Sequence, residues 1–187
     1  LETGIHANTA DQTLRGSATV FGYAIQDYQI ERSFSATDYL VVNAPRATSV
    51  GGEIELHWRP HRAWQFTAAA GWTDMTLREF TDPYDGADYS GKRAPYAPDY
   101  TLAVGAAWQS NIGWFAHTDM VTTGSVYYDE SERAASGTPA RTIVDLTLGY
   151  ERAAWKLTVT VTNLFDRDYY SLLIPGVGEE ALELRTD

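Results

Sequence analysis

The segment Trp64-Gln65-Phe66-Thr67-Ala68-Ala69-Ala70-Gly71-Trp72-Thr73 decides the fold. Trp64, Phe66, Ala68, Ala70 and Trp72 occupy every second position, and small or polar residues stand between them. A period of two is that of a β-strand, whose successive side chains point to opposite faces. The same alternation returns in Tyr100, Leu102, Val104, Ala106 and Trp108. It returns again in Val144, Leu146, Leu148 and Tyr150, in Trp155, Leu157, Val159 and Val161, and in Ile54, Leu56 and Trp58. In all five segments the apolar set contains no charged residue. Residues 113–128 follow a looser version, and 1–8 and 14–31 read as strands whose two faces are less distinct around Val20, Phe21 and Tyr23. No stretch holds a helical period. The chain is therefore read as all-β: about eight long antiparallel strands in up-and-down meander order.

The connections alternate in length. Short ones are expected near 9–13, 59–63, 109–113 and 151–154, and long ones near 32–46, 80–98, 129–139 and 170–187. Strict alternation puts every short turn at one end of the sheet and every long loop at the other, as in a transmembrane barrel. The tryptophans follow the same geometry. Trp58 and Trp64, Trp108 and Trp114, and Tyr150 and Trp155 bracket three short turns, so five of the 6 Trp share one level. Indole rings favour a membrane–water interface, being apolar in body and polar at the N–H. The six residues read as one aromatic girdle. Tyrosines, among them Tyr84, Tyr89, Tyr96 and Tyr100, mark the opposite end.

Composition narrows the classes further. The chain has 187 residues, no cysteine and a formal net charge of −11. Zero cysteine excludes a disulfide scaffold, a thiolate nucleophile and a Cys-built zinc site. The acidic balance argues against nucleic acid as a partner. No apolar run approaches the length of a membrane-spanning helix, which excludes helical spans only. His57 and His61 are four apart, a ligand spacing on a helix but not across a strand and a Pro turn. Asp82, Asp85 and Asp88 lack the pattern of a calcium loop, and Gly176-Val177-Gly178 lacks the strand-then-helix setting of a nucleotide site. No catalytic residue, metal site or cofactor is expected. Two other architectures are compatible with alternation alone. One is a soluble β-sandwich with the tryptophans in its core, acting as a binding domain. The other is a self-contained eight-stranded outer-membrane barrel of structural or adhesive role, closed by pairing 1–8 with 155–165.

Asn163-Leu164-Phe165-Asp166-Arg167-Asp168-Tyr169 ends the last clear strand. It resembles the Asn-Leu-Phe-Asp-x-x-Tyr signature of TonB-dependent outer-membrane receptors, carried here by Asn163, Leu164, Phe165, Asp166 and Tyr169. Ala47-Thr48-Ser49-Val50-Gly51-Gly52-Glu53-Ile54-Glu55 and Gly91-Lys92-Arg93-Ala94-Pro95-Tyr96-Ala97-Pro98-Asp99-Tyr100 are similar to stretches of the same family, in the same order. The resemblance implies that 1–187 is the C-terminal β-barrel segment of a siderophore-type receptor, without its plug domain and closing strand. It implies the outer membrane of a Gram-negative bacterium, with membrane lipid, a ferric siderophore or similar small ligand, and the TonB energy-coupling system as partners. The family's barrel has about 22 strands around a plug, more than this chain supplies. Residues 151–154 would lie in the periplasm and 170–187 outside. The outer loop 80–98 is then the binding candidate: Lys92 and Arg93 to attract an anionic chelate, Tyr84, Tyr89 and Tyr96 to pack on it. Glu53, Glu55 and His57 would face the lumen. The start, Leu1-Glu2-Thr3-Gly4, has neither an initiator Met nor a signal peptide, so a mature portion or fragment is expected.

Overall fold

A computed structural model describes residues 1–33, 39–84, 86–174 and 182–185. Its strands are β1 (Glu2–Asn8), β2 (Leu14–Ser33), β3 (Tyr39–His61), β4 (Trp64–Glu79), β5 (Tyr100–Gln109), β6 (Trp114–Thr123), β7 (Val126–Tyr127), β8 (Gly137–Thr138), β9 (Arg141–Arg152), β10 (Trp155–Val161), β11 (Tyr170–Ile174) and β12 (Leu182–Arg185). Eight of them form one sheet in the order β1-β2-β3-β4-β5-β6-β9-β10, every neighbour antiparallel. β7–β8 and β11–β12 are separate two-stranded pairs. The only helical turn among the described residues is a 3₁₀ turn at Ala134–Ser136.

The register lines the alternating segments up across the whole sheet. Ile54 pairs with Ala18 and Ala70, Ala70 with Leu102, Leu102 with Thr122, and Thr122 with Thr142. One face therefore carries Val20, Ile54, Ala70, Leu102, Val104, Met120, Val144, Leu148 and Val159. No charged side chain interrupts it between the short turns and the row Gly22–Val50 on one side or Trp72–Tyr100 on the other. The opposite face carries Glu53, Glu55, His57, His117, Asp119 and Lys156. The apolar face is uncovered: Ile54 is 60% exposed, Trp72 50% and Leu148 50%. A soluble sandwich would pack a second sheet on these residues, and no described element does so. Nor does the sheet close on itself. β1 pairs only with β2, and β10 only with β9, so the closure of 1–8 onto 155–165 that a self-contained eight-stranded barrel requires is not formed.

The polar face is packed by unequal partners. Phe21 pairs with Gly51, and Phe115 with Gly149. Each ring lies where the glycine lacks a Cβ, so a side chain at Gly51 or Gly149 would collide with it. Laying an aromatic ring over a strand glycine covers an otherwise bare stretch of backbone. This resolves the mixed reading of 14–31: Phe21 and Tyr23 belong to the inner face, their rings 5.5 Å apart, and Val20 to the outer.

Two connections and one strand differ from expectation. The supposed loop 32–46 is mostly strand, for β2 and β3 stay paired as far as Ser33 and Tyr39. The alternation changes phase on the way. Below Pro45 the covered residues of β3 are Ala47, Ser49 and Gly51; above it they are Val42 and Ala44. Opposite Pro45 stands Asp27 with φ of 54°. A left-handed residue facing one that lacks an N–H rotates the ladder, and this breaks the sequence signal. The strand expected over 113–128 stops at Thr123, and Val126–Tyr127 pairs instead with Gly137–Thr138. The tail 170–187 contains the hairpin β11–β12; Gly176-Val177-Gly178 lies outside the described residues.

Face assignment has a direct energetic test. Val104→Arg, on the uncovered face at mid-strand, should destabilise the protein in lipid vesicles by roughly 2–4 kcal/mol. Ala103→Arg, one residue away on the polar face, should cost under about 1 kcal/mol. Equilibrium denaturant unfolding in vesicles measures both, and equal costs would refute the assignment.

Candidate functional site

At the long-loop end three segments fold onto one another. They are the upper part of the β2–β3 hairpin, residues 80–99 and residues 124–140. Phe80 and Ala94 from the second bury against Ile30, Val42, Ala44, Ala47 and Leu77. Burying aliphatic and aromatic groups at this density contributes about 1.5–3 kcal/mol per large side chain. Tyr89 packs on this cluster, its ring 6.2 Å from that of Phe80 and nearly parallel to it.

Charge ties the same segments together. Arg32 of β2 is ion-paired with Asp82 and lies 3.1 Å from Glu130 Oε1, and both carboxylates are buried. Asp82 Oδ1 also accepts the Tyr84 N–H at 2.8 Å. Glu132 receives the Arg93 N–H on Oε1 at 2.9 Å and the Lys92 ammonium on Oε2 at 3.0 Å. The Arg93 guanidinium pairs with Asp99. Burial raises the Glu132 carboxyl, but the Arg93 N–H and the Lys92 ammonium outweigh it and hold it below its usual value. Tyr96, with φ of 66°, donates its N–H to the Tyr127 carbonyl at 2.8 Å and meets the Tyr128 ring edge-on at 5.6 Å. Burial, with the carboxylates of Glu31, Glu130 and Asp129, pushes its phenol up, so it remains a hydrogen-bond donor.

The five loop residues singled out from sequence thus occupy one cap, in different states. Tyr84 is 59% exposed and Tyr96 42% exposed, while Tyr89 is committed to the core. Lys92 and Arg93 are both held by carboxylates. Of the three aspartates nearby, Asp82 anchors Arg32, Asp88 accepts the Ser90 N–H at 2.9 Å, and Asp85 lies outside the described residues. Sequence reasoning missed Glu130, which sits 98 positions from Arg32, and Glu132, which sits 40 and 39 from Lys92 and Arg93; neither carries a local signal.

At the short-turn end the six aromatic residues form a band on the uncovered face. Trp58 stacks near Phe66 at 5.4 Å, Phe66 on Trp64 at 5.7 Å, and Trp64 near Trp108 at 6.3 Å. Trp114, Tyr150 and Trp155 continue it at 4.9 and 5.3 Å. Gly113, with φ of 104°, makes the tight turn that brings β6 in beside β5; a Cβ there would strike the Glu151 carbonyl. Nine residues along each strand lead from this band to the register pair Trp72–Tyr100, the length of a tilted transmembrane β-strand.

The Asn163–Tyr169 segment closes β10. Asn163 has φ of 50°, and its side chain bridges the turn. Its Oδ1 accepts the Arg167 N–H at 3.0 Å, and its amide donates to the Arg167 carbonyl at 3.1 Å. Its own N–H goes to Asp145 Oδ1 at 2.8 Å, and the Leu164 N–H to the Val144 carbonyl at 2.7 Å. Asparagine tolerates this backbone and supplies both bonds. Leu164 and Phe165 are exposed. Tyr169 lies under the Arg141 guanidinium, 4.8 Å from its ring centre.

A family model described as TonB dependent receptor-like, beta-barrel, matches residues 1–164. The chain belongs to that family. Members of the TonB-dependent receptor family are receptors and transporters, and the open eight-stranded sheet is a portion of such a barrel wall. The ferric yersiniabactin uptake receptor FyuA of Yersinia pestis superposes with a TM-score of 0.79 at 22% identity, over 99% of this chain and 27% of its own. The ferric-catecholate import receptor Fiu of E. coli K12, in its closed form, gives 0.72 at 21%, over 96% and 25%. The copper transporter OprC gives 0.66 at 17%, over 90% and 25%. The chain spans about a quarter of each of these. At these identities the likeness is one of fold.

Glu132→Gln should loosen the cap of this receptor wall by about 1–2 kcal/mol. The Arg93 amide would then exchange its hydrogen roughly five- to thirtyfold faster. The pH sign is fixed by the lowered carboxyl. Its contribution is complete above the usual glutamate value of about 4.3 and is lost as pH falls through the lower folded value. Acid-side loosening should therefore appear in the native protein and be blunted in Glu132→Gln. Hydrogen exchange at several pH values reads both.

Proposed function

We propose that the chain forms wall and outer loops of a TonB-dependent receptor that takes up a ferric siderophore or similar chelate across the outer membrane of a Gram-negative bacterium. The observation that carries this reading is the family match over residues 1–164, laid on a sheet with one charge-free face between two aromatic rows. Trp58, Trp64, Trp108, Trp114, Tyr150 and Trp155 serve as the inner-side membrane girdle, and Trp72 with Tyr100 as the outer one. Outside, the cap residues Tyr84, Lys92, Arg93 and Tyr96 form the ligand-facing wall, and Tyr89 supports it from the cap core. Because Glu132 and Asp99 already hold Lys92 and Arg93, these residues contribute positioned donors more than net positive charge. A plug domain, moved by the TonB system, would admit the ligand.

The resemblance to a copper transporter raises bare copper as another cargo. Soft sulfur ligands favour copper(I), and this chain has no Cys and 2 Met.

Uptake of radiolabelled ferric chelates into cells expressing the receptor tests the reading. Uptake should vanish without the TonB system, and Tyr84→Ala with Tyr96→Ala should cut it about tenfold or more, as expected for exposed aromatic anchors. Undiminished uptake in both would refute it. Brominated lipids should quench most Trp emission, because five of the 6 Trp lie in the inner band and Trp72 in the outer row.

A further inference from the structure

The short-turn end of the sheet carries a charge bias opposite to that of the whole chain. Residues 9–15, 57–65, 107–116 and 149–157 hold five of the 14 Lys and Arg but two of the 25 Asp and Glu, in a chain of net charge −11. Neither the aromatic girdle nor the chelate-facing cap uses these cations.

Two adjoining recesses on the polar face collect them. One, of about 310 Å³, is lined by Arg15, His57, Arg59 and Gln65 among others. The other, of about 470 Å³, shares Arg59 and Gln65 and adds Arg62, Gln109 and Lys156. Register explains the gathering. Arg15 of β2 stands directly opposite His57 of β3, and Arg59 follows two residues later on the same strand. Arg59 Nη2 donates to Gln65 Oε1 at 3.0 Å, tying β3 to β4 across the turn.

Three of these cations are uncompensated. Among the described residues Arg15, Arg59 and Arg62 form no ion pair. Both carboxylates at this end are already committed. Asp11 accepts the hydroxyls of Thr9 and Thr13 within its own turn, and Glu151 pairs with Lys156 at 3.1 Å. Glu55 and Asp119 line a different recess, further along the strands. In the cap the balance is reversed, for Arg32, Lys92 and Arg93 all meet carboxylates. The cap therefore offers an anion placed donors, and the short-turn rim offers it net positive charge. Cations in a cleft with low-dielectric walls focus their field and raise the local concentration of anions. A guanidinium takes the paired oxygens of a carboxylate or similar group through two parallel N–H donors. The volume of the two recesses is that of a small-molecule site, larger than a bare oxyanion needs.

We propose that this rim is a second station for the anionic chelate, at which Arg15, Arg59 and Arg62 take its outward-facing oxygens once it has left the cap. Its place in transit rests on the chelate-uptake reading above; the anion site itself does not.

The protein in detergent is titrated with tris(oxalato)chromate(III), an inert, triply negative, paramagnetic complex with exposed carboxylate oxygens. Tris(ethylenediamine)chromium(III), of the same metal and opposite charge, is the control. The anion should broaden the side-chain amide NMR signals of Gln65 and Gln109 before it broadens the Arg93 amide of the cap, and the cation should not. Arg15 and Arg62 are exposed and hold no other side chain among the described residues. Arg15→Gln combined with Arg62→Gln therefore leaves the contacts of the fold in place, and it should weaken binding about tenfold. Arg152→Gln removes the same charge at the same end but on the lipid-facing side, level with Trp155, and should change binding by less than about twofold. No broadening at millimolar anion, equal broadening by the cation, first broadening at the cap, or full binding by the double variant would overturn the proposal. Such a failure with TonB-dependent uptake intact leaves the receptor reading standing. Loss of that uptake with anion binding intact strikes the receptor reading and leaves the anion site.

Discussion

Every backbone N–H and C=O that faces hydrocarbon needs a partner within the protein, because lipid offers none. A paired antiparallel sheet meets that demand along its interior strands, and it does so whatever the side chains are. What remains to be specified is which face meets lipid. This chain specifies it through strict alternation held in register across eight strands. A slip of one residue in the pairing of β3 or β6 would turn Glu53, Glu55 or Asp119 outward. The Phe–Gly pairs on the inner face help prevent such slips. Phe21 fits over Gly51 and Phe115 over Gly149, and a slip of one residue would set Phe115 opposite Leu148 or Tyr150 instead of a glycine.

The wall was almost wholly legible in the sequence. The five charge-free segments are strands, the short turns fall near their expected places, and the band of Trp58, Trp64, Trp108, Trp114, Tyr150 and Trp155 sits on one face. These features are periodic and local, so a reader of sequence meets them directly. The upper β2–β3 hairpin is hidden in the sequence because its alternation changes phase at Asp27 and Pro45. Its covered residues are regular on either side of that point but not across it.

The cap was the illegible part. Tyr84, Tyr89, Lys92, Arg93 and Tyr96 were identifiable as candidates by type and loop position. Their states were not, because each depends on a contact made across a long loop. Lys92 and Arg93 meet a glutamate from a different connection, and Tyr89 turns into a core built from β2, β3 and β4. The seating of Arg141 on Tyr169 needs β9 and the segment after the Asn163 turn to come together. Composition alone places nothing there.

The cap core and the wall differ in solvent. The wall's apolar face trades one hydrocarbon neighbour for another, so water contributes little to holding it. Ile30, Leu77, Phe80 and their neighbours are instead kept together by exclusion of water. That force weakens on cooling. The two layers of this one sheet therefore answer to temperature in different ways. In the cold the wall keeps its hydrogen-bonded frame while the cap relaxes, so the cap is the layer whose composition must be retuned to working temperature.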